Sequence, residues 1–443
     1  MIGERKWGML RRRLESAPMP VLVLFAMFAA FGTYFCMYAF RKPFTAATFD
    51  GLTFLGTQVN AKTAFVIAQL IGYTISKYVG VKVCSEMTRS RRTAALCLLG
   101  LLAQASLVLF AILPMNLKPF AMLANGLPLG MVWGLVVWHL EGRRSSEILL
   151  AGLSCSFIVS SGVVKDIGRW LMTDRGVSEW WMPAATGAIF LVPYLLGVRM
   201  LSLVPEPTRE DVAARVLRTP MTGRDRWAFV RRFAPGLVML FATYFLLTAY
   251  RDYRDTYGIE ILKELGYAQK PAVFTKTELP IALGVMAALA GLNLIRDNRK
   301  GLLGALGIMG FGAALLGGST LLLDAGHISG VVWMILIGLG AYLCYVPFGS
   351  VLFDRLMAST GFVGTAVFAI YLADALGYTG SVALQLYKDL GAAEASRFGF
   401  LRIVTYAMSL LGVVMIAGAA VYFGTVSRRP IPSESVHEGG TTA

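Results

Sequence analysis

Apolar residues fill most of this chain in long runs with no polar face, separated by short polar breaks. Runs such as Ala94 to Leu113 and Ile403 to Phe423 are apolar on every side, whereas a membrane β-strand alternates in polarity over about ten residues. A helix crossing a bilayer takes about 20 mostly apolar residues. On that rule the pattern predicts helices over 20–45, 61–83, 93–113, 119–140, 147–171, 181–203, 235–258, 278–295, 302–323, 329–352, 362–386 and 400–424. The expected fold class is an all-α integral membrane protein of twelve transmembrane helices. The longest polar stretch, Val204 to Phe233, carries Pro205, Pro207 and Pro220 and divides the helices six and six. The expected organisation is a basic N-terminus (1–19), an N-terminal six-helix bundle (20–203), a linker (204–234), a C-terminal bundle (235–424) and a tail (425–443).

Composition agrees with this reading. Of 443 residues 56% are hydrophobic and 15% charged, and the mean hydropathy of +0.63 lies above that of a soluble domain. The basic N-terminus superficially resembles the start of a signal peptide, but the apolar run behind it is too long and continues into Tyr34, Tyr38 and Arg41, so it is expected to stay as the first membrane helix. A net charge of +15 could suggest nucleic acid, yet in a membrane protein Lys and Arg report topology first. They cluster in the N-terminus, at Arg89/Arg91/Arg92, at Arg143/Arg144, from Arg209 to Arg232, at Arg296/Arg299/Lys300 and at Arg428/Arg429. Twelve crossings put all six clusters on one face. That face is expected to be cytoplasmic, with both termini on it, in the inner or plasma membrane.

The five cysteines (Cys36, Cys84, Cys97, Cys155, Cys344) form no CxxC pair, and His139, His327 and His437 are scattered. No metal, cofactor or disulfide is expected. No Walker A, HExxH or GxSxG sequence occurs, so ATP hydrolysis and hydrolytic catalysis find no support and the chain is not expected to be an enzyme.

An internal repeat crosses the linker. The first helix contains Tyr34-Phe35 and then Ala39-Phe40-Arg41; the seventh contains Tyr244-Phe245 and then Ala249-Tyr250-Arg251, at the same spacing. The fourth and tenth helices echo each other more weakly in Gly126-Leu127 and Gly338-Leu339, with Glu141 and Asp354 towards their ends. Repeated halves characterise transporters that rock about a central site.

Within this frame Arg41 and Arg251 stand out. From Pro235 to Tyr250 the helix is about 16 residues, roughly 24 Å long, too short for a core of about 30 Å. It must run on past Arg251, which places a guanidinium within reach of the bilayer interior. Arg41 shares a helical face with Tyr38 and Tyr34, and Arg251 with Thr248 and Tyr244. Such a pair forms a clamp for an oxyanion, because guanidinium groups bind phosphate or carboxylate bidentately. The alternative places Arg41 at the headgroups and neutralises Arg251 with Asp252 or Asp255. The second helix carries Gln69, Tyr73, Ser76 and Gly80 on one stripe, with Lys77 alongside, as a cavity lining or a packing face. Asp374, in the middle of the eleventh helix among Tyr371, Tyr378 and Ser381, is a candidate for a coupling proton or for an ion pair with a base such as Lys77. Lys165 and Asp166 lie towards the outer end of the fifth helix, where Lys165 can join the anion site or be neutralised by its neighbour. Gly301, Gly304, Gly307 and Gly310 read as a close-packing face.

These residues resemble the major facilitator superfamily and, within it, the organophosphate:phosphate antiporters. Tyr38-Ala39-Phe40-Arg41-Lys42 resembles that family's first-helix arginine-lysine motif, and Gly72 to Tyr78 its second-helix segment ending in Ser-Lys-aromatic. Ser85-Glu86-Met87 through Arg91-Arg92 is similar to the charged loop that follows, with one extra residue. Arg251 lies near the second substrate arginine, with Arg254 as the other alignment. The sequence departs from the pattern at Ser160-Ser161-Gly162 and Lys165, where better-known members carry a histidine, and at Glu86-Met87, where they carry aspartate-arginine. The resemblance implies two bundles related by a pseudo-twofold axis and alternating access.

The expected function is secondary transport of a small organic anion, phosphate or a phosphorylated metabolite, by a chain that works as a monomer among membrane lipids. Arg41, Arg251, Tyr38 and Tyr73 are expected to bind it, with Lys77 and Lys165 as further cationic contacts. Asp374 serves coupling or an ion pair, and Glu86 and Arg89 a conformational gate. The rival readings are a proton-coupled transporter of a non-phosphorylated compound centred on Asp374, and a transporter-like ligand sensor.

Overall fold

The structure is a computed structural model, described here over residues 2–87, 89–140, 143, 145–207, 223–267, 272–360 and 366–426. Among these residues it is all helical apart from a single β-bridge in the loop between the first two membrane helices.

A short amphipathic helix, α1 (Ile2–Glu15), precedes the first long apolar one, α2 (Met19–Arg41). Pro20 in the first turn of α2 needs no intrahelical donor. Pro43 ends the helix, because it has no N–H to continue the hydrogen-bond ladder beyond Lys42, and the chain turns into a 3-10 segment, Pro43–Ala46. The apolar run had suggested a helix to residue 45. There follow α3 (Ala61–Glu86), α4 (Arg89–Ile112), α5 (Lys118–Leu140), α6 (Ser146–Thr173) and α7 (Met182–Leu203).

After a polar helix, α8 (Gly223–Arg232), the second set begins with α9 (Ala234–Thr256) and the short α10 (Gly258–Glu264). It continues through α11 (Val273–Asn293), α12 (Asn298–Asp324), α13 (Gly330–Ser350), α14 (Leu352–Thr360), α15 (Ala366–Leu390) and α16 (Arg397–Val426). Side-chain caps fix several starts: Asn60 Oδ1 accepts from Lys62 N at 2.9 Å before α3, and Asp297 Oδ1 from Lys300 N at 2.7 Å before α12.

The twelve long helices form two bundles with the same internal pairing. In the first half α2 packs on α6 and α7, α5 on α3 and α4, and α4 on α7. In the second, α9 packs on α15 and α16, α13 on α11 and α12, and α12 on α16. The bundles meet chiefly along α6 with α11 and α3 with α15. Close approach within a bundle is made by glycine. A Cβ at Gly126 would fall 2.1 Å from Gln69 O, and one at Gly338 would fall 2.3 Å from Ile281 Cδ1 and 2.5 Å from Arg254 Nη2. The two echoed glycines thus hold the equivalent pairs α5–α3 and α13–α11.

The glycine series in α12 is different. Nothing lies within 4 Å of a Cβ built on Gly307, and only Ile416 Cγ2, at 3.8 Å, meets one on Gly310. Steps of three fall short of the 3.6-residue turn, so the series winds around the helix. The backbone contact with α13 is made instead by Gly312 against Gly340, whose Cβ atoms would each fall 2.6 Å from the other's carbonyl oxygen. The expected close-packing face is therefore corrected from positions 307 and 310 to Gly312.

Counting the described residues alone, ten helices are long and apolar enough to cross a membrane. Helices α3 and α15, which carry Lys77 and Asp374, face each other between the bundles. Their polarity is shielded by the opposite half rather than exposed to lipid, so the chain is a multi-pass membrane protein.

Candidate functional site

The bundles enclose a cavity lined from both sides. It holds about 550 Å³ of empty space counting its mouth, and the centre of a water-sized sphere fits in about 60 Å³ of it. The first half contributes Tyr34, Tyr38 and Arg41 from α2, and Tyr73 and Lys77 from α3. Trp133 of α5 and Ser154 and Phe157 of α6 complete that wall. Across from them stand Tyr244 and Arg251 of α9, Tyr345 of α13, and Asp374 and Tyr378 of α15. The lining extends towards the terminus-bearing face as far as Gly349 and Ile370.

Arg41 and Arg251, at repeat-related positions, are 4% and 6% exposed. Each lies over a tyrosine ring, Arg41 at 4.2 Å from the Tyr73 centroid and Arg251 at 4.0 Å from that of Tyr345. Cation–π contact and burial hold the guanidinium planes while leaving their edges for hydrogen bonding. The two differ in their anionic partners. Arg251 Nη2 donates to Asp252 Oδ1 at 2.9 Å, and Asp252 Oδ2 accepts from Ser381 Oγ at 2.8 Å. Among the described residues no carboxylate lies within ion-pairing distance of Arg41, and its Nε is buried without a partner. Its backbone is fixed from behind, because Gln69 Nε2 donates to Arg41 O at 3.1 Å and to Asn125 Oδ1 at 2.7 Å, while Asn125 Nδ2 donates to Phe40 O and Ala103 O.

Lys77 and Asp374 form an ion pair across the bundles at 3.0 Å, and Tyr244 OH donates to Asp374 Oδ1 at 2.5 Å. Beside it Tyr73 and Tyr378 meet edge to face at 5.2 Å. Of the polar stripe on α3, only Tyr73 and Lys77 line the cavity. Gln69 serves the Arg41 carbonyl and the Asn125 side chain, and Gly80 packs against Met131.

Lys165 lies outside the cavity lining. Its Nζ reaches Asp255 Oδ1 at 2.5 Å and Asp255 O at 2.6 Å, and the same carboxylate pairs with Lys42 and accepts from Ser161 Oγ at 2.6 Å. Arg254 is likewise away from the cavity, paired with Glu278 at 3.0 Å and donating to Met334 O at 2.9 Å. Of the two aligned arginines, Arg251 is the one on the wall. Asp166 accepts from the Phe274 and Thr275 backbone amides and from Thr275 Oγ1. The side chains of Glu86, Arg89 and Tyr371 lie outside the described residues.

The contacts of Asp255 and Asp166 belong to a layer that joins the halves on the face opposite the N-terminus. There Lys62 Nζ pairs with Glu260 at 2.6 Å, Thr63 Oγ1 lies 2.6 Å from Tyr257 OH, and Asp389 accepts from Asn60 N at 3.0 Å. The cavity is sealed on that face.

Trp133, Ser154, Phe157 and Tyr345 escaped sequence reasoning. An aromatic in an apolar helix carries the same signal whether it faces lipid, a neighbouring helix or a cavity. The repeat could have pointed to Trp133, which sits seven residues after Gly126 as Tyr345 does after Gly338.

The arrangement is the major facilitator fold. The chain is similar in structure to a D-xylose-proton symporter, with a TM-score of 0.61 at 14% identity, over 90% of this chain and 97% of that one. It is also similar to a mutant of the peptide transporter POT in complex with sulfate, with a TM-score of 0.58 at 16% identity, over 91% and 95%. Identities this low speak for the fold alone. No curated protein matches the chain. A family model described as a family of unknown function, DUF5690, matches residues 43–425, and the chain belongs to that family.

Proposed function

We propose that this protein is a secondary active transporter of a small organic anion, phosphate-bearing or carboxylate-bearing, held between Arg41 and Arg251 and moved by alternating access. It sits in the cell membrane with both termini cytoplasmic. The observation that carries this reading is Arg41: a buried guanidinium on a cavity wall, stacked on Tyr73 and, among the described residues, without a carboxylate partner. An uncompensated buried charge is strongly destabilising, by about 3–5 kcal/mol where a partner has been removed, and an anionic ligand would supply the missing partner. Arg251 on the facing wall lets both halves hold the same anion, which couples binding to their relative position. The fold shared with a proton symporter and a peptide transporter is in keeping with transport.

Uptake into proteoliposomes tests the proposal. Arg41→Lys and Arg251→Lys should each lower uptake of the cognate anion at least roughly tenfold, because lysine lacks the planar fork, while the protein still inserts and folds. Wild-type uptake by both variants would remove the clamp.

The contacts of Asp374 favour one second reading, proton-coupled transport. Its carboxylate faces the cavity and bridges the halves through Lys77, so a proton arriving there would release the bridge. That reading requires Asp374→Asn to abolish uptake that the arginine variants leave intact.

A further inference from the structure

We infer that the bound anion carries a planar aromatic body, so that the cavity accepts an aryl phosphate or aryl carboxylate and discriminates against a polyol phosphate. The inference rests on the anion reading of Arg41 and Arg251 and narrows it.

The first argument is which surfaces remain available. Tyr73 covers one face of Arg41 and Tyr345 one face of Arg251, so an oxyanion meets the guanidinium edges, that of Arg251 shared with Asp252. What adjoins those edges is aromatic. Tyr34 and Trp133 meet edge to face at 4.9 Å, Phe157 lies 6.1 Å from Trp133, and Phe157 reaches across the halves to Tyr345 at 6.2 Å. Rings at these separations offer both edges and faces to a further ring, the arrangement that aromatic pairs prefer.

The second argument is what the lining lacks. A polyol takes its hydrogen bonds from amides, carboxylates and hydroxyls, and here the hydroxyls are almost all phenolic, each carried on an aromatic ring. Among the described residues lining the cavity there is no Asn or Gln, and Ser154 is the only aliphatic hydroxyl. The nearby amides, Gln69 and Asn125, point at backbone carbonyls and at each other. The one carboxylate, Asp374, is engaged by Lys77 and by the Tyr244 hydroxyl. Each ligand hydroxyl that these phenols leave without a partner weakens binding by roughly tenfold, whereas an aryl ring asks for none.

Four matched probes test this on the purified full-length protein by equilibrium binding and thermal shift: phenyl phosphate, benzoate, glycerol phosphate and inorganic phosphate. Phenyl phosphate should bind at least roughly tenfold more tightly than glycerol phosphate. Trp133→Ala and Phe157→Leu should each erase most of that difference without changing the affinity for inorganic phosphate. Trp133→Phe, which keeps a ring, should retain most of it and guards against a misfolded alanine variant. Glycerol phosphate binding as tightly as phenyl phosphate, with both lost in Arg41→Ala, would overturn the aromatic inference and leave the anion site standing. No stabilisation by any of the four would overturn the anion reading and this inference with it.

Discussion

At the level of single residues, the two cavity arginines are related by the repeat but not by their charge environment. Asp252 lies 2.9 Å from Arg251 and is itself held by Ser381, so an entering anion must compete with an internal one. Among the described residues Arg41 has no such rival. Asp252→Asn keeps the Ser381 hydrogen bond in reach and removes the competing charge, so a phosphate probe should bind it up to roughly tenfold more tightly, as read by isothermal titration. Unchanged or weaker binding would mean that Arg251 does not meet the anion. This asymmetry was half legible in the sequence. The spacing of Arg41 and Arg251 marked both positions, and Asp252 and Asp255 were both possible neutralisers. Choosing between them needs three dimensions, because Asp255 is taken by Lys42 and Lys165 from the other half. For the same reason Lys165, grouped by charge alone with the anion site, sits in the sealing layer.

Among the helices, the apolar runs located all twelve long elements to within a few residues, because burial in lipid leaves a signal that does not depend on neighbours. The boundaries that moved did so for identifiable local or tertiary causes. Helix α11 begins at Val273 rather than near 278 because Asp166, from α6 of the other bundle, accepts the Phe274 and Thr275 amides that would otherwise be orphaned at its first turn. Asp166→Ala should therefore fray that turn, at a cost of about 0.5–2 kcal/mol, seen as faster amide hydrogen exchange at 274–276. Protection equal to wild type would show that the turn stands without the cap. Helices α3 and α15 make the complementary case, since the charges that lower their hydropathy are the ones that meet across the interface. Removing Lys77 alone leaves Asp374 facing the cavity without its cross-bundle base. Lys77→Met should therefore lower the melting temperature more than the double variant Lys77→Met/Asp374→Leu, which exchanges the pair for apolar contact. A double variant that melts below the single would show that the pair is net stabilising in its own right.

In the molecule as a whole, the bundles are locked together on the face away from the termini, and the lock centres on one carboxylate serving two lysines. Asp255 lies between Lys42 and Lys165, with Lys62–Glu260 and Thr63–Tyr257 beside it. Asparagine at 255 would leave both lysines buried at the interface without their counter-charge, a change of about 3–5 kcal/mol when one partner of a buried pair is removed. Moving a two-state equilibrium from 1:99 to 99:1 takes about 5.5 kcal/mol. Asp255→Asn should therefore bring the form open on that face to a substantial share of the population. Thr63, fully buried in the closed form, reports on it: a Thr63→Cys thiol should resist a membrane-impermeant maleimide in the Asp255 background and react several-fold faster beside Asp255→Asn. Applied to intact cells, the reagent reaches that thiol only if the sealed face is external, so the experiment also tests the orientation inferred from the basic clusters. Equal, slow labelling of both intact and permeabilised cells would mean that this layer is a permanent weld and that the halves do not part there.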